Sequence, residues 1–271
     1  MTDGPLRLLV LGAHPDDAEF HAGGLVAAYR AADHVVKIVS VTDGGAGHHK
    51  LSGSQLVDRR REEADRAGKV VGAEYVTWDF PDGHLQPSLE VRDRIIREIR
   101  TFKPDLVLTH RPCDYHPDHR AVGQAVQDAS YLVTVPLVAP ETPYLSRDPV
   151  VAYMVDLFTK PYPFQADVVL DIEPWFDTVL DMLEQHVSQV FEFLPYNHQH
   201  DLPADDDRRA WLADWCAHHM GPRADCFRQR LIERYGEERG GQILLMEAYE
   251  FSEYAAGVTP EDRHRLFLSD A

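Results

Sequence analysis

The chain has 271 residues, of which 44% are hydrophobic, and its formal net charge at pH 7 is −18. The length predicts one large domain with a full-sized core, and no apolar run of about 18 residues suggests a membrane-spanning helix. The acidic charge excludes nucleic acid and anionic membranes as expected partners, because both attract proteins through Lys and Arg. Three cysteines without a CxxC pair, and an N-terminus without a secretory pattern, predict the cytoplasm.

Up to about residue 130, apolar runs rich in β-branched residues alternate with helical patterns. Four runs are apolar almost throughout, which is typical of strands covered on both faces in a parallel sheet. These predicted strands span 6–12, 35–42, 74–78 and 105–110, and helical patterns lie between them at 18–32, 55–71 and 88–102. The alternation predicts a doubly wound, Rossmann-like α/β fold with helices on both faces of a mostly parallel sheet.

After about residue 130 the pattern loosens, and we expect a mixed α/β C-terminal part. Prolines cluster in VPLVAPETPYLSRDPV, so this stretch cannot form one regular element. LLMEAYEFSEY is interpreted in one of two ways. It forms a strand that carries Glu247 or Tyr249 towards a cleft, or its residues are ordinary core and surface residues. A short strand is predicted at 166–172, and helices at 173–192, 207–219 and 223–238.

Two groups of ionisable residues follow predicted strands. GAHPDDAEFHAGG comes after the first strand, and HRPCDYHPDHR comes after the fourth. In open α/β sheets, ligands bind outside the carboxyl ends of the strands, where the strand order reverses. In a 3-2-1-4 order these two strands are neighbours, so both loops open into the same crevice. The two groups are therefore predicted to form one site.

The residue types in these loops suit a metal ion. Zinc accepts imidazole nitrogen and carboxylate oxygen, and catalytic zinc sites keep three protein ligands and an open position for water. The His-X-X-Asp pair His14 and Asp17, with one histidine from HPDH, matches that number of ligands. No cysteine lies at ligand spacing, which excludes a structural zinc finger. The alternative is that His14 caps a helix whose N-terminus the aspartates solvate.

AHPDDAEFHAGG together with HPDH resembles the LmbE-like, or PIG-L-type, zinc-dependent de-N-acetylases, which remove the N-acetyl group from glucosamine-containing conjugates. The resemblance covers residues 5–130 firmly and 165–192 loosely. TDGGAGH, the Arg-x-x-Glu pair Arg60 and Glu63, FPDG and HVSQV are similar to further family segments. Many members carry Glu directly after the two aspartates, whereas Ala18 stands at that position here.

The resemblance implies roles for both histidine motifs. Asp16, beside the metal, matches the general base. His116 matches the residue that stabilises the oxyanion, protonated by acidic surroundings, and Asp118 matches the residue that tunes it. The expected ion is one Zn²⁺ per subunit, with another divalent metal such as Fe²⁺ as the alternative. The positions that match the metal ligands are His14, Asp17 and His119.

The resemblance also implies contacts with the substrate. Arg60 and Asp82 match positions that reach sugar hydroxyls. The alternative for Arg60 is a surface ion pair with Glu62 or Glu63, and for Asp82 it is ordinary turn chemistry in Pro-Asp-Gly. Tyr115 directly precedes His116. It either lies over the bound amide or has no role in substrate binding.

Other histidines leave alternatives. His48 and His49 lie in a glycine-rich loop. The alternatives for this loop are a lid, a second metal site and a mobile solvated segment. His110 ends the fourth strand and either orients His119 or is a plain buried histidine.

The resemblance implies a hydrolase that removes an N-acetyl group from an amino sugar or glucosamine-containing conjugate, a small-molecule substrate. The alternative is the same chemistry on a non-sugar N-acyl amine or a thiol-conjugate amide. A nucleotide-binding module is disfavoured because no G-x-G-x-x-G follows the first strand. Family analogy implies a homo-oligomer, a trimer or a hexamer. Residues 1–130 and 131–271 are expected to form one domain, and the second part to shape the substrate pocket.

Overall fold

The computed structural model describes residues 4–201 and 204–268 of the chain. The strands in this part are β1 (Arg7–Gly12), β2 (Val35–Thr42), β3 (Glu74–Phe80), β4 (Leu106–Thr109), β5 (Val150–Met154), β6 (Val168–Asp171) and β7 (Met246–Phe251). They form one sheet in the order β3-β2-β1-β4-β5-β7-β6. Neighbours from β3 to β5 are parallel, whereas β7 runs antiparallel to both β5 and β6.

The predicted doubly wound, mostly parallel sheet and its 3-2-1-4 strand order are confirmed. The sequence analysis does not predict β5, because this short strand directly follows the proline-rich stretch. Its pairing with β4, with Leu106 opposite Val150, determines its place in the sheet. β7 is a strand, but Glu247 and Tyr249 are both buried in the interior rather than exposed in a cleft.

The helices are α1 (Asp17–Ala31), α2 (Gly53–Val71), α3 (Leu89–Phe102), α4 (Pro117–Ser130), α5 (Phe176–Leu183), α6 (Leu194–Asn197), α7 (Arg208–Cys226), α8 (Arg228–Gln242) and α9 (Pro260–Leu266). The first three match the predicted helices to within two residues at each end. The expected break before residue 223 is wrong, because α7 continues through Pro222.

The single helix predicted at 173–192 is also wrong. α5 ends at Leu183, and the segment Ser188–Phe193 forms a π-helix. The backbone N–H and the hydroxyl of Ser188 both donate to the carboxylate of Glu63 on α2, at 2.9 and 2.6 Å. Ser188 thus hydrogen-bonds a residue of another helix. The periodicity of the local sequence does not predict such a contact.

Both faces of the sheet are covered, which explains the continuous apolar runs. Leu8 and Val10 of β1 belong to one core cluster with α1, α5 and α7. Leu9 and Leu11 belong to a second cluster with α3 and α4 on the opposite face. Among the described residues, no helix combines the length and the apolar character that a membrane crossing needs.

Candidate metal centre

The two histidine loops lie side by side at the carboxyl end of the sheet. β1 ends at Gly12 and β4 at Thr109, and the two strands are parallel neighbours. Asp17 is the first residue of α1, and His119 lies in the first turn of α4. Both helices thus begin at the same place, where the positive ends of their dipoles favour carboxylates.

Donor atoms of three side chains from these loops form a triangle. Nδ1 of His14 lies 3.3 Å from Nε2 of His119 and 3.6 Å from Oδ2 of Asp17, and Nε2 of His119 lies 3.4 Å from Oδ1 of Asp17. In a tetrahedral zinc site with bonds of about 2.0–2.1 Å, neighbouring ligand atoms are about 3.3–3.4 Å apart. The three separations are close to this value, with Oδ2 of Asp17 facing His14 and Oδ1 facing His119, so the three side chains lie near enough to share one ion. Within residues 4–201 and 204–268, the groups of metal-competent donors are His14, His116 and His119; Asp17, His110 and His119; and His14, Asp82 and Asp118, so the predicted set His14, Asp17 and His119 is divided between the first two groups.

The charges around the triangle favour a cation. Burial works to raise the pKa of Asp17, but His119 and His110 hold it well below its ordinary value. Burial likewise opposes a charged His119, yet Asp17 and Asp114 raise its pKa to about 9. The carboxylates thus draw protons onto the donor atoms, and a divalent ion would satisfy the same negative charge.

Carboxylate oxygens also lie close to the remaining ring nitrogens of both histidines. Nε2 of His14 lies 3.2 Å from Oδ1 of Asp82 and 3.3 Å from Oδ2 of Asp118. Nδ1 of His119 lies 3.1 Å from Oδ1 of Asp114. Such outer carboxylates orient an imidazole and raise its basicity as a metal ligand. The helix-capping alternative for His14 is wrong, because Asp16 occupies the N-cap position of α1.

Asp16 has an unusual backbone conformation, with φ at 138°. A non-glycine residue in this region costs on the order of 1–3 kcal/mol, so neighbouring contacts must hold it. Arg60 supplies one, because its Nη2 donates to the carbonyl of Pro15 at 2.7 Å and lies 3.4 Å from Oδ1 of Asp16. Burial, reinforced by Asp17, raises the pKa of the Asp16 carboxyl to about 6.

Comparison with known proteins identifies the family. A family model described as PIG-L: GlcNAc-PI de-N-acetylase matches residues 9–130. The uncharacterized deacetylase YaiS of Escherichia coli K12 is 31% identical over 147 residues, which are 50% of this chain and 74% of that protein. The chain belongs to the PIG-L family.

Other PIG-L relatives carry names of different reactions. The diacetylchitobiose deacetylase of Thermococcus kodakarensis is 28% identical over 68% of this chain and 70% of its own length. The 4-oxalmesaconate hydratase of Pseudomonas putida is 26% identical over 54% of this chain and 59% of its own length. In structure, N,N'-diacetylchitobiose deacetylase from Pyrococcus horikoshii has a TM-score of 0.67 at 22% identity, covering 92% of this chain and 84% of that one. This chain is an enzyme of the family, and the likeness to the solved structure shows the shared fold.

His116 differs from the expectation for this PIG-L chain. Burial, together with His14 and His119, lowers its pKa, although Asp118 and Asp17 oppose the shift. The expectation that acidic surroundings keep it protonated is therefore wrong. The Asp118 carboxylate contacts the ring of His14 and accepts the backbone N–H of Gly83 at 2.6 Å. Asp118 hydrogen-bonds His116 through its backbone rather than through its carboxylate, since its N–H donates to Nδ1 of His116 at 3.2 Å.

Arg60 and Asp82 lie within the site but are already engaged by protein groups. Arg60 is only 2% exposed, so the surface ion pair is wrong. Its Nη1 donates to the carbonyl of Gly44 at 3.1 Å and lies 3.9 Å from Oδ2 of Asp82. Asp82 accepts the backbone N–H of Ala46 at 3.1 Å, and against the effect of burial the pKa of its carboxyl falls to about 2, chiefly through His14.

Tyr115 lies at the mouth of the site. Its side chain is exposed, and its ring lies edge-on to His116 and His119, with centroids 5.7 and 5.5 Å away. On the other side it approaches Phe158, 6.1 Å away between centroids. Tyr115 can therefore reach a ligand at the entrance while resting on the imidazoles below it.

The loop with His48 and His49 is held by neighbours. Nε2 of His48 lies 3.1 Å from Oε2 of Glu192, and His49 stacks on Tyr196 with ring centroids 3.9 Å apart. The side-chain amide of Gln189 donates to the carbonyl of Gly47 at 2.9 Å. Neither histidine belongs to a group of metal-competent donors within the described residues.

Two supporting features of the site, one residue and one contact, are not predicted from the sequence. Asp114 is one, although a carboxylate two residues before HPDH is a usable signal for an orienting group. The other is the role of His110, whose Nε2 lies 3.1 Å from Oδ2 of Asp17 while its ring stacks on His119 at 3.9 Å. His110 thus contacts a carboxylate ligand candidate rather than hydrogen-bonding His119.

Proposed function

We propose that the chain is a metal-dependent hydrolase that removes an N-acetyl group from an amino sugar or a glucosamine-containing conjugate. The observation that carries the proposal is the triangle of donor atoms from His14, Asp17 and His119 at the carboxyl ends of two neighbouring strands. Relatives named as deacetylases of diacetylchitobiose and of N-acetyl-glucosaminyl malate support the substrate class.

These three residues would hold the ion, with Zn²⁺ favoured by the nitrogen and oxygen donor set. A divalent ion bound there supplies water with a pKa near 7 and polarises the amide carbonyl, on the order of several kcal/mol of stabilisation. Asp82, Asp118 and Asp114 keep the imidazoles oriented for this work.

Asp16 is proposed as the general base. The two successive carboxylates have different partners: Oδ1 of Asp16 lies 3.4 Å from Nη2 of Arg60, whereas Oδ2 of Asp17 lies 3.1 Å from Nε2 of His110. Burial makes Asp16 more basic than an ordinary aspartate, with a pKa of about 6, so it is ionised at neutral pH and able to take a proton from water.

His116 is proposed as the donor to the oxyanion, acting in its neutral form. Its Nδ1 accepts the backbone N–H of Asp118, so a neutral ring must carry its proton on Nε2. The lowered pKa keeps the ring neutral near pH 7, and Nε2–H remains a hydrogen-bond donor for the developing negative charge. A protonated ring is not required.

The proposal is tested by acetate release. Purified protein, stripped with a chelator and reloaded with Zn²⁺ or Fe²⁺, is incubated with N-acetylglucosamine, diacetylchitobiose and an N-acetylglucosaminyl conjugate. We expect acetate from at least one of them, lost on stripping and restored by metal. An acylated alkylamine and a thiol-conjugate amide are tested in parallel.

Three outcomes would contradict it. Cleavage of the alkylamine or thiol conjugate alone would favour the non-sugar alternative. Acetate release that persists after complete removal of the metal would show that the reaction does not need a metal ion. Absence of acetate, together with hydration of 4-oxalmesaconate when this unsaturated tricarboxylate is supplied instead, would place the chain with the hydratase among its relatives.

We also infer that residues 1–130 and 131–271 form one domain, located in the cytoplasm and assembled as a homo-oligomer. β5, β7 and β6 extend the same sheet that β1 to β4 begin, which supports one domain. Light scattering on the eluted protein measures the oligomer, and a monomeric mass would contradict a trimer or hexamer.

A further inference from the structure

A second cavity lies beside the metal centre. It has a volume of about 750 Å³ and is formed over β5 and β7, where Tyr153 and Glu250 pair across the two strands. Pro112 and Tyr162 are among its lining residues. Pro112 belongs to the loop that carries Asp114, the carboxylate against His119. The cavity therefore shares this loop with the metal centre but contains none of its donor residues.

The lining of this cavity is acidic. Its carboxylates come from Glu250, Glu253 and Asp167, and no Lys, Arg or His is among the described lining residues. Two guanidinium groups approach the lining: Nη1 of Arg111 lies 3.8 Å from Oε2 of Glu250, and the guanidinium of Arg263 lies 5.4 Å from the ring centroid of Phe251. Arg111 is engaged elsewhere, because its Nε and Nη2 both donate to the carboxylate of Asp156 at 2.6 Å. The negative charge of the cavity is thus only partly compensated.

The three carboxylates differ in how much they can offer a ligand. Asp167 accepts the backbone N–H of Phe251 at 2.8 Å and also borders a neighbouring pocket that contains Arg230 and Arg263. Glu250 accepts the backbone N–H of Gln165 at 2.7 Å through one oxygen. Glu253 is exposed at the mouth. Glu250 and Glu253 are therefore the groups from which a bound cation would gain most.

Aromatic rings complete the lining. Tyr153 is buried and donates its hydroxyl to Ser252 at 3.1 Å, which leaves its ring as apolar wall. Tyr162 and Tyr254 are exposed, but the guanidinium of Arg111 already lies over the Tyr162 ring, 5.2 Å from its centroid, so Tyr254 is the exposed ring more available to a ligand. Rings combined with carboxylates attract organic cations, because the ring faces and the carboxylates both stabilise positive charge.

We propose that this cavity binds an organic cation, an alkylammonium or quaternary ammonium group, at a site separate from the metal centre. A bare metal ion fits less well, since the groups of three metal-competent donors in residues 4–201 and 204–268 all lie at the metal centre. The volume also falls in the range of about 300–1,000 Å³ that small organic ligands occupy.

The ionisation of Glu250 is consistent with such a ligand. Burial raises the pKa of its carboxyl, with Asp167 and Asp156 adding to the effect, while the N–H of Gln165 and Arg111 oppose it. A cation in the cavity would stabilise the ionised carboxylate and offset the cost of burial.

The test compares choline with 3,3-dimethylbutan-1-ol, its neutral isostere, by isothermal titration calorimetry on the full chain. We expect choline to bind with one site per chain and the isostere to bind at least about tenfold more weakly. Neither probe carries an amide, so the result does not depend on the proposed hydrolysis. Titrations on metal-loaded and metal-stripped protein should agree.

Variants locate the site. Glu250→Gln and Glu253→Gln should each weaken choline several-fold, about three- to tenfold. Glu253 is exposed, so this variant keeps the test valid if the Glu250 variant unfolds. Glu90→Gln, on the exposed face of α3, removes the same unit of charge far from the cavity and should leave choline binding unchanged.

The proposal is overturned by equal affinity for choline and its isostere, by no saturable choline binding, or by binding that all three variants leave unchanged. Choline binding that needs the metal would place the ligand at the metal centre and would overturn it as well.

Discussion

The two parts of the chain contribute differently to the site. Every residue in the groups of metal-competent donors lies before residue 120, in two short loops and the FPDG segment. The part after residue 131 instead supplies supporting contacts, such as His186 against Glu19 of α1 at 3.0 Å and Gln189 on the carbonyl of Gly47 in the loop after β2. The reacting groups thus come from short motifs in the first part of the chain, whereas much of their support comes from the second part.

α1 illustrates the division. It begins at Asp17, and farther along, the backbone N–H groups of Gly24 and Leu25 donate to the two carboxylate oxygens of Glu247, at 2.7 and 3.0 Å. A Cβ at Gly24 would lie 2.3 Å from Cγ2 of Ile172, so only glycine permits this close approach. The helix that carries the carboxylate ligand candidate is therefore fixed against β7 through its middle.

The largest effect is expected from the first part. His119→Ala removes one corner of the donor triangle, and two remaining donors bind zinc poorly. Metal analysis after dialysis should find less than about a tenth of the wild-type content, and turnover should fall to background. His264→Ala, on α9, is the matched control and should keep its metal. Unchanged metal in His119→Ala would exclude it as a ligand.

Asp16→Asn should separate metal binding from chemistry. The amide cannot accept a proton, so we expect turnover to fall about 10²- to 10⁴-fold while metal content stays at the wild-type level. Acetate release and metal analysis on the same sample measure both. Equal loss of metal and turnover would contradict the assignment of Asp16 to proton transfer and of Asp17 to metal binding.

Asp114→Asn tests a supporting carboxylate within the first part. The change weakens the hold on Nδ1 of His119, and loss of such a partner typically lowers metal affinity about 10- to 100-fold. Competition with a fluorescent chelator measures the affinity. Asp128→Asn, exposed on α4, is the control. An affinity equal to that of the control would mean that Asp114 does not orient the ligand.

The smallest effect is expected from the second part. In Glu247→Gln, an amide NH₂ must face one of the donors Gly24 N–H, Leu25 N–H or Tyr249 O–H, which costs about 1–3 kcal/mol of unfolding free energy. Chemical denaturation measures this loss, and metal content should remain. Glu237→Gln, exposed on α8, should be neutral.

The same variant has a pH signature. Burial raises the pKa of Glu247 from 4.5 to about 6, although Tyr249, the two α1 amides and Arg223 oppose the shift. The folded form therefore holds its proton more tightly, and this contribution to wild-type stability is lost as the pH rises from 4.5 through 6. The difference in unfolding free energy between wild type and Glu247→Gln should decrease by about 2 kcal/mol towards neutral pH. An increase in this difference would contradict a raised pKa.

Much of the first part follows from the sequence alone. Continuous apolar runs in β1 and β2 predict strands covered on both faces, because each successive side chain must meet a different layer. His14 and His119 were predicted to converge because the carboxyl ends of adjacent parallel strands meet at one edge. These inferences need only local periodicity, strand order and the chemistry of the side chains.

Tertiary structure alone decided the rest. The strand β5 takes its place by pairing with β4, and the π-helix at 188–193 takes its form from hydrogen bonds to Glu63. The burial of Arg60 and the lowered pKa of His116 depend on neighbours that are remote in sequence. Burial and ionisation are properties of an environment, and a linear pattern does not contain the distances that create it.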